Sequence, residues 1–163
     1  MTRISMDILQ SATAKIRTMD LQQKEQLAAE IFQHQPHMLG LVLVQHRLGV
    51  SMEKIDFLLT FLLTCFQAMK DSGLKWSKIT EDEIDRQMNI FVKTVNFSKD
   101  MGNSLKNKSI QQYTAGHPEL ALLAFAQVET DNWLKSIMPE ESDKNIVIAA
   151  MTLVNCIASA RLI

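Results

Sequence analysis

The chain has 163 residues, of which 47% are hydrophobic and 6% aromatic, and its formal charge at neutral pH is −1. A chain of this length can bury a core without disulfides or a structural metal, so we predict one domain over residues 1–163. Phosphate-dominated binding of nucleic acids requires a basic surface. Because 18 acidic residues offset the 17 basic ones, we expect no nucleic-acid partner.

Residues that break helices are scarce. The chain contains only five Gly and three Pro, and most of them fall at the ends of segments with a helical apolar period. No segment alternates apolar and polar residues for long, and no Asn-Gly or Asp-Gly hairpin turn occurs. The pattern predicts an all-α, single-domain bundle of six to seven helices with short connections and strand content near zero.

The first three predicted helices lie before Gly49. The first has one apolar stripe that includes Ile4 and Ile16, and Asp20 has the character of an N-cap for the second. Pro36 is expected to end the second helix and to be the first residue of the third, over residues 36–48. This third helix is apolar in nearly every direction, which is typical of a helix central to a core or between two partners.

Cap signals define the next two predicted helices. Ser51 is expected to cap a helix that stops at Gly73. Thr80 and Glu83 have the spacing of a capping box, in which each side chain accepts from the other residue's amide. The helix that follows has one apolar stripe through Ile84 and a second through Ile90, Phe97 and Met101, and it is expected to end at Gly102. Two stripes predict two packing partners.

The last two helices are predicted over residues 118–137 and from Ser142 or Asp143 to about Arg161. Pro118 is well placed as a first helical residue. Residues 103–117 between the helices are polar, with one short helical turn possible around Ile110 and Tyr113.

Two segments, residues 57–69 and 146–160, are apolar enough to be tested as membrane spans. Both are shorter than the roughly 18 to 20 residues that cross a bilayer. The first residues of the chain lack the apolar run of a secretory signal. Cys65 and Cys156 lie in apolar helical segments without a CxxC motif, which indicates reduced buried thiols. We therefore expect no transmembrane segment and a cytoplasmic protein.

Glu30, His34 and His37 form the one candidate metal site. Their spacing of i, i+4 and i+7 places them on one face of a continuous helix, where they could supply three ligands to zinc or iron. Pro36 lies inside this spacing and is expected to rotate His37 away, and polar side chains at an exposed helix end are the favoured explanation of the pattern. A fourth ligand would have to come from His46, His117 or Glu129. No cofactor is predicted.

No known catalytic motif is present. The Glu-x-x-His pairs of di-iron bundles are missing, as are His-Glu-x-x-His, Walker glycine loops, Gly-x-Ser-x-Gly and EF-hand loops. Cys65 and Cys156 lie among apolar residues, where the pKa of a thiol rises and its reactivity falls. An enzyme is therefore the least favoured class, because spacing alone unites no nucleophile, base and orienting group.

Three further residues are candidates for binding. Glu129 projects between apolar residues and Trp133, which predicts a raised pKa, a cationic partner or a position at a rim. His46 faces apolar residues and is expected to be a core histidine or to contact a partner. Trp76 or Trp133 would lie at the mouth of an apolar ligand cavity. The predicted binding residues are Glu30, His34, His37, His46, Glu129 and Trp133.

The apolar helix surface exceeds what one small core needs. We therefore expect a non-catalytic helical interaction or regulatory protein that buries this surface by homodimerisation or by binding another protein. The alternative is a bundle that binds a small hydrophobic ligand, or a metal near Glu30, His34 and His37.

Overall fold

The computed structural model describes residues 2–99 and 113–163. These residues form α1 (Met6–Thr18), α2 (Leu21–His34), α3 (Pro36–Leu43), a 3-10 helix (Val44–Leu48), α4 (Met52–Asp71), α5 (Glu81–Lys99), α6 (Leu120–Ser136) and α7 (Asp143–Ser159). Within this part of the chain there is no strand, only a single antiparallel bridge between Trp76 and Leu162. The predicted all-α fold is confirmed, and the predicted number of helices is close.

Helices α4 and α7 occupy the centre of the fold. Helix α4 packs against α1, α2, α3 and α7, while α7 packs against α4, α5 and α6. Every residue from 61 to 69 in α4 and from 149 to 154 in α7 is buried. A helix that is buried on all sides needs neighbours all around it. The other helices therefore form a shell that covers these two with one apolar face each.

Several predicted helix ends are confirmed. Asp20 caps α2 in a full capping box with Gln23, because each side chain accepts from the other residue's amide. Pro36 is the first residue of α3. Gly49 ends the 3-10 helix with a φ of 85°, a conformation that residues with a Cβ rarely adopt. Pro36 and Gly49 thus lie at helix boundaries, as predicted.

Other cap predictions are only partly right. Ser51 is the N-cap residue of α4, but its side chain makes no capping hydrogen bond. Thr80 accepts from the Glu83 amide at 3.1 Å, as predicted. The Glu83 carboxylate, however, accepts from Arg86, Gln87 and Ser159. The reciprocal half of this capping box is therefore not formed.

The start of α6 is the clearest error. The helix begins at Leu120 and not at Pro118, and Glu119 is its N-cap residue. Glu119 is fully buried because its carboxylate accepts hydrogen bonds from the Arg3 and Ile4 amides, at 2.7 and 3.4 Å. This long-range contact sets the position of the helix start, and the local proline signal does not.

Arg3 fastens the segment before α1 to the end of α7. Its guanidinium donates to the Ile157, Ala158 and Ala160 carbonyls at 2.6 to 2.8 Å. The Ile157 carbonyl also accepts from the Ala160 amide, and a cation is well placed at the carbonyls that end a helix. The guanidinium also lies 4.6 Å from the centre of the Trp76 ring. The segments before α1, after α4 and after α7 thus meet at one end of the bundle.

Residues 36–48 do not form one buried helix. The α-helix ends at Leu43 and the segment continues as the 3-10 helix, which has about three residues per turn. Met38 and Val42 are fully buried, whereas Leu43 and Leu48 are 57% and 54% exposed. The segment is therefore a surface element with one apolar face against the core and another that nothing in the described chain covers.

Helix α5 packs one stripe against α7 and α3. Ile84 on this stripe is buried, and Ile90 on the second stripe is 47% exposed. The predicted continuation of the second stripe through Phe97 and Met101, and the predicted end at Gly102, lie outside the described side chains.

The central position of α4 gives a direct test of the packing. We expect Leu62→Ala to lower the free energy of unfolding by about 2 to 5 kcal/mol, because it removes a fully buried side chain and leaves a cavity. The same change at Leu21, which is 74% exposed in α2, should alter it by less than about 0.5 kcal/mol. Urea unfolding followed by circular dichroism measures both, and equal losses would contradict this packing.

Candidate functional site

The structure separates the three residues of the candidate metal site. Glu30 forms an ion pair with Lys70 at 2.7 Å, and the exposed His34 lies with it along a groove of about 360 Å³ beside Trp76. His37 is not in this groove.

His37 instead has its Nδ1 atom 3.5 Å from the Glu81 carboxylate. Pro36 starts a new helix between the two histidines, which is the physical reason that they diverge. Among the described residues, no three His, Cys, Asp or Glu side chains lie close enough together to hold a metal ion.

His46 is exposed, so the prediction of a core histidine is wrong. That prediction placed His46 over Leu39, Val42 and Leu43 by assuming a continuous α-helix. The change to a 3-10 helix at Val44 rotates every later residue relative to α-helical spacing. His46 lies instead on the outer surface of the 3-10 helix, and the alternative of a contact with a partner stays a prediction.

Glu129 and Trp133 have different surroundings, although they lie one turn apart. Glu129 is half-buried and lines a groove between α1, α4 and α6 together with Arg17 and Phe125. This position at a rim is one of the predicted alternatives. Trp133 is buried, and its ring stacks on Phe57 with 4.7 Å between ring centres. It therefore belongs to the core, and its predicted place at the mouth of a ligand cavity stays a prediction.

The two thiols are poorly placed for catalysis. Burial raises the pKa of Cys65 far above its ordinary range. Burial, together with the negative charge of Glu83, raises the pKa of Cys156 to about 12. Because the thiolate is the nucleophile, both residues are inert protonated thiols at neutral pH.

His117 is held in a hydrogen-bonded cluster. Its Nδ1 accepts from the Glu119 amide at 3.1 Å, so its Nε2 donates to the Asn155 Oδ1 at 2.9 Å. Tyr113 donates its hydroxyl to the same oxygen at 3.1 Å. Burial raises the pKa of Tyr113, and the bond to Asn155 offsets part of that effect. Since both nitrogens of His117 are engaged, this residue fixes the approach to α6 and is not free to bind a metal.

The shortest ion pair between buried side chains of the described residues joins the first turns of α4 and α7. The Lys54 Nζ atom lies 2.6 Å from the Asp143 Oδ1, and it also donates to the Met138 carbonyl at 3.1 Å. Burial acts to raise the pKa of Asp143, but hydrogen bonds from Lys54 and the Glu140 amide, with the charge of Lys54, lower it overall. The hydrogen bond to Asp143 raises the pKa of Lys54. No local signal in the sequence marks Lys54 and Asp143 as partners, because they lie 89 positions apart.

A second groove lies between α3, the 3-10 helix and α5, and we call it the α3–α5 groove. Its volume is about 460 Å³, and its lining combines apolar side chains with His37, Gln45, Glu81 and Asp85. Gln45 is only 2% exposed and donates from Nε2 to the Leu41 carbonyl at 3.1 Å. Within the described residues, its Oε1 is a buried acceptor without a hydrogen-bond partner. The signal that could have found Gln45 is one amide directly after the apolar run of residues 38–44.

An apolar edge runs along the outer side of the same segment. It consists of Leu43, Val44, Leu48 and Met52, whose exposed fractions lie between 38% and 66%. Arg47 and Glu53 flank the edge and are exposed. Neither of these two charges forms an ion pair within the described part of the chain.

No protein-family model, curated protein or solved structure matches this chain. No helix in the described ranges is both long enough and apolar enough to cross a bilayer. The function is therefore inferred from the chain's own surfaces, of which the apolar edge and the α3–α5 groove are the most distinctive.

The buried Lys54–Asp143 pair generates a stability prediction. We expect Lys54→Met to lower the melting temperature strongly, because it leaves the Asp143 carboxylate buried without its cation. The double variant Lys54→Met/Asp143→Leu should recover part of the loss. Lys144→Met is the matched control, since its pair with Glu141 is exposed and should contribute little. Thermal unfolding measures all three, and equal effects of Lys54→Met and Lys144→Met would contradict the assignment.

The same pair predicts a pH dependence. The folded pKa of Asp143 lies below its ordinary value of 3.8, so the stabilisation is present above that pH and is lost as the pH falls through the folded pKa. Glu83 acts in the same direction, because its bonds to Arg86 lower its pKa from 4.5 to about 2. Unfolding followed between pH 2 and 6 should show that acid lowers the stability of the double variant Lys54→Met/Asp143→Leu less than that of the wild type. An identical loss would contradict the prediction.

Proposed function

We propose that this chain is a non-catalytic interaction protein that acts as a homodimer, with the apolar edge as the contact surface. One observation carries the proposal: four large apolar side chains are exposed within ten residues, at the corner where the 3-10 helix meets α4. Single exposed apolar residues are normal on a protein surface, but a contiguous group of them marks an interaction site.

The charges that flank the edge favour a second copy of the same chain as the occupant. Contacts in a two-fold dimer are isologous, so each element of the surface meets its counterpart in reverse order. Suppose that the two copies run in opposite directions and that the two-fold axis passes near Val50. Leu48 of one copy then faces Met52 of the other. Arg47 then faces Glu53 of the second copy. Between residues 47 and 53 the edge is thus complementary to itself in apolar character and charge.

Other features of the chain are consistent with this role. His46 is exposed beside the edge, where it would contact the second copy. The two buried thiols make no disulfide, which suits the reducing environment of the cytoplasm, where we place the protein. The dimer would depend on apolar contact for affinity and on the flanking charges for register.

A charge-swap experiment tests the contact. We expect Arg47→Glu and Glu53→Arg each to weaken the dimer about tenfold, because each change brings like charges together across the contact. The double variant Arg47→Glu/Glu53→Arg should restore association, since the opposite charges then meet again. Lys135→Glu on α6 is the control for a change in net charge. Sedimentation velocity at several concentrations measures the dissociation constant of each variant.

Two results would contradict the proposal. One is a wild-type protein that sediments at 18.5 kDa at tens of micromolar, which means that the edge does not associate. The other is a double variant no better associated than the single variants, which means that Arg47 does not face Glu53.

A further inference from the structure

Met52 differs from the buried methionines of the chain in its exposure. Its side chain is 66% exposed at the first residue of α4, within the apolar edge. Met38, Met69 and Met151 are buried, at 6% exposed or less. Met138, in the segment between α6 and α7, is 81% exposed and lies outside the edge. Of the two described methionines that are more than half exposed, one therefore belongs to the proposed contact surface.

An exposed thioether is open to oxidation by peroxides. Its sulfur attacks one oxygen of hydrogen peroxide, the O–O bond breaks, and a proton shift releases the other oxygen as water. The sulfur is oxidised to a sulfoxide, and the peroxide is reduced. Cys65 and Cys156 are buried with raised pKa values, so they offer no competing thiolate at neutral pH. The exposed methionines are therefore not protected by a more reactive thiol of the described chain.

A sulfoxide at Met52 makes the edge polar at one point. The S=O group is a strong hydrogen-bond acceptor, whereas the thioether is a weak one. In the proposed two-fold arrangement Met52 faces Leu48 of the second copy, whose side chain has no donor. Burying the sulfoxide there leaves its oxygen without a partner, and this cost opposes association. In the separate chain the oxygen stays hydrated, because Met52 is exposed, so oxidation leaves the fold intact.

We propose that Met52 is a site of reversible oxidation, at which a peroxide dissociates the homodimer by converting the thioether to a sulfoxide. This inference rests on the proposed dimer. Dimerisation covers Met52, so the separate chain is the form that reacts. A methionine sulfoxide reductase reverses the step, since it removes the oxygen as water while two thiols form a disulfide.

Sedimentation velocity before and after treatment with hydrogen peroxide tests the inference. Peptide mass spectrometry measures the sulfoxide fraction at each methionine in the same samples. We expect the wild-type dimer to weaken about tenfold when Met52 is oxidised, because the sulfoxide oxygen loses its water at the contact. Treatment with reductases for both sulfoxide epimers should restore the original dissociation constant.

Three variants separate Met52 from the other methionines. Met52→Leu has an apolar side chain without sulfur, so its dissociation constant should be the same before and after peroxide. Met138→Leu is the matched control, because it removes the more exposed methionine outside the edge and should respond to peroxide as the wild type does. Met52→Gln places a polar amide in the contact and should weaken the dimer about tenfold without peroxide.

The rate of oxidation gives a second readout. At protein concentrations above the dissociation constant, Met52 should be oxidised more slowly than at concentrations below it, because the dimer covers the thioether. The rate at Met138 should not depend on the protein concentration.

The possible results distinguish this inference from the dimer itself. An untreated wild type that does not associate would contradict the dimer and the oxidation site together. A wild type that associates, with a dissociation constant unchanged when Met52 is oxidised, would overturn the oxidation site alone. So would an equal response of Met52→Leu and the wild type to peroxide, which would place the sensitive methionine elsewhere. Oxidation of Met52 at a rate independent of protein concentration would also overturn it.

Discussion

The packing of α4 against α7 is the constraint on which the rest of the structure depends. Both helices are buried on every side in their middle turns, so their neighbours must surround them. Each surrounding helix reaches this centre with one apolar face. The segment of α3 and the 3-10 helix carries apolar residues on more than one face, and the second face finds no place in the described core. The exposed apolar edge is thus a consequence of a core that is already filled.

The buried polar side chains of the described chain have hydrogen-bond partners, with one exception. Lys54 pairs with Asp143, and Glu119 accepts from the Arg3 and Ile4 amides. Gln35 donates to the Ser77 carbonyl and accepts from the Ile79 amide, which ties α3 to the segment before α5. Each of these three contacts joins elements that are distant in sequence. Gln45 Oε1 is the unsatisfied atom in the described chain, and it lies in the segment that also carries the edge. Contacts within the fold thus account for the other buried polar groups named here.

The helices could be predicted from the sequence because their signals are local. Asp20, Pro36 and Gly49 act within one turn, and the structure confirms all three positions. The Lys54–Asp143 and Arg3–Glu119 contacts could not be predicted, because they join residues 89 and 116 positions apart. The prediction of a buried His46 was wrong for another reason. Helical projection assumes a constant rotation per residue, and the change to a 3-10 helix breaks that assumption. The proposed site depends on the same change, so sequence periodicity alone could not locate it.

The account's central claim is that the apolar edge meets its own copy. The most direct measurement is an isotope-filtered NOE experiment on a mixture of ¹³C-labelled and unlabelled protein, which detects only contacts between copies. The account predicts NOEs between Leu48 methyl groups of one copy and the Met52 methyl group of the other. Intermolecular NOEs that involve other surfaces would contradict it. So would the absence of any intermolecular NOE at several hundred micromolar protein, a concentration above the dissociation constants of weak dimers.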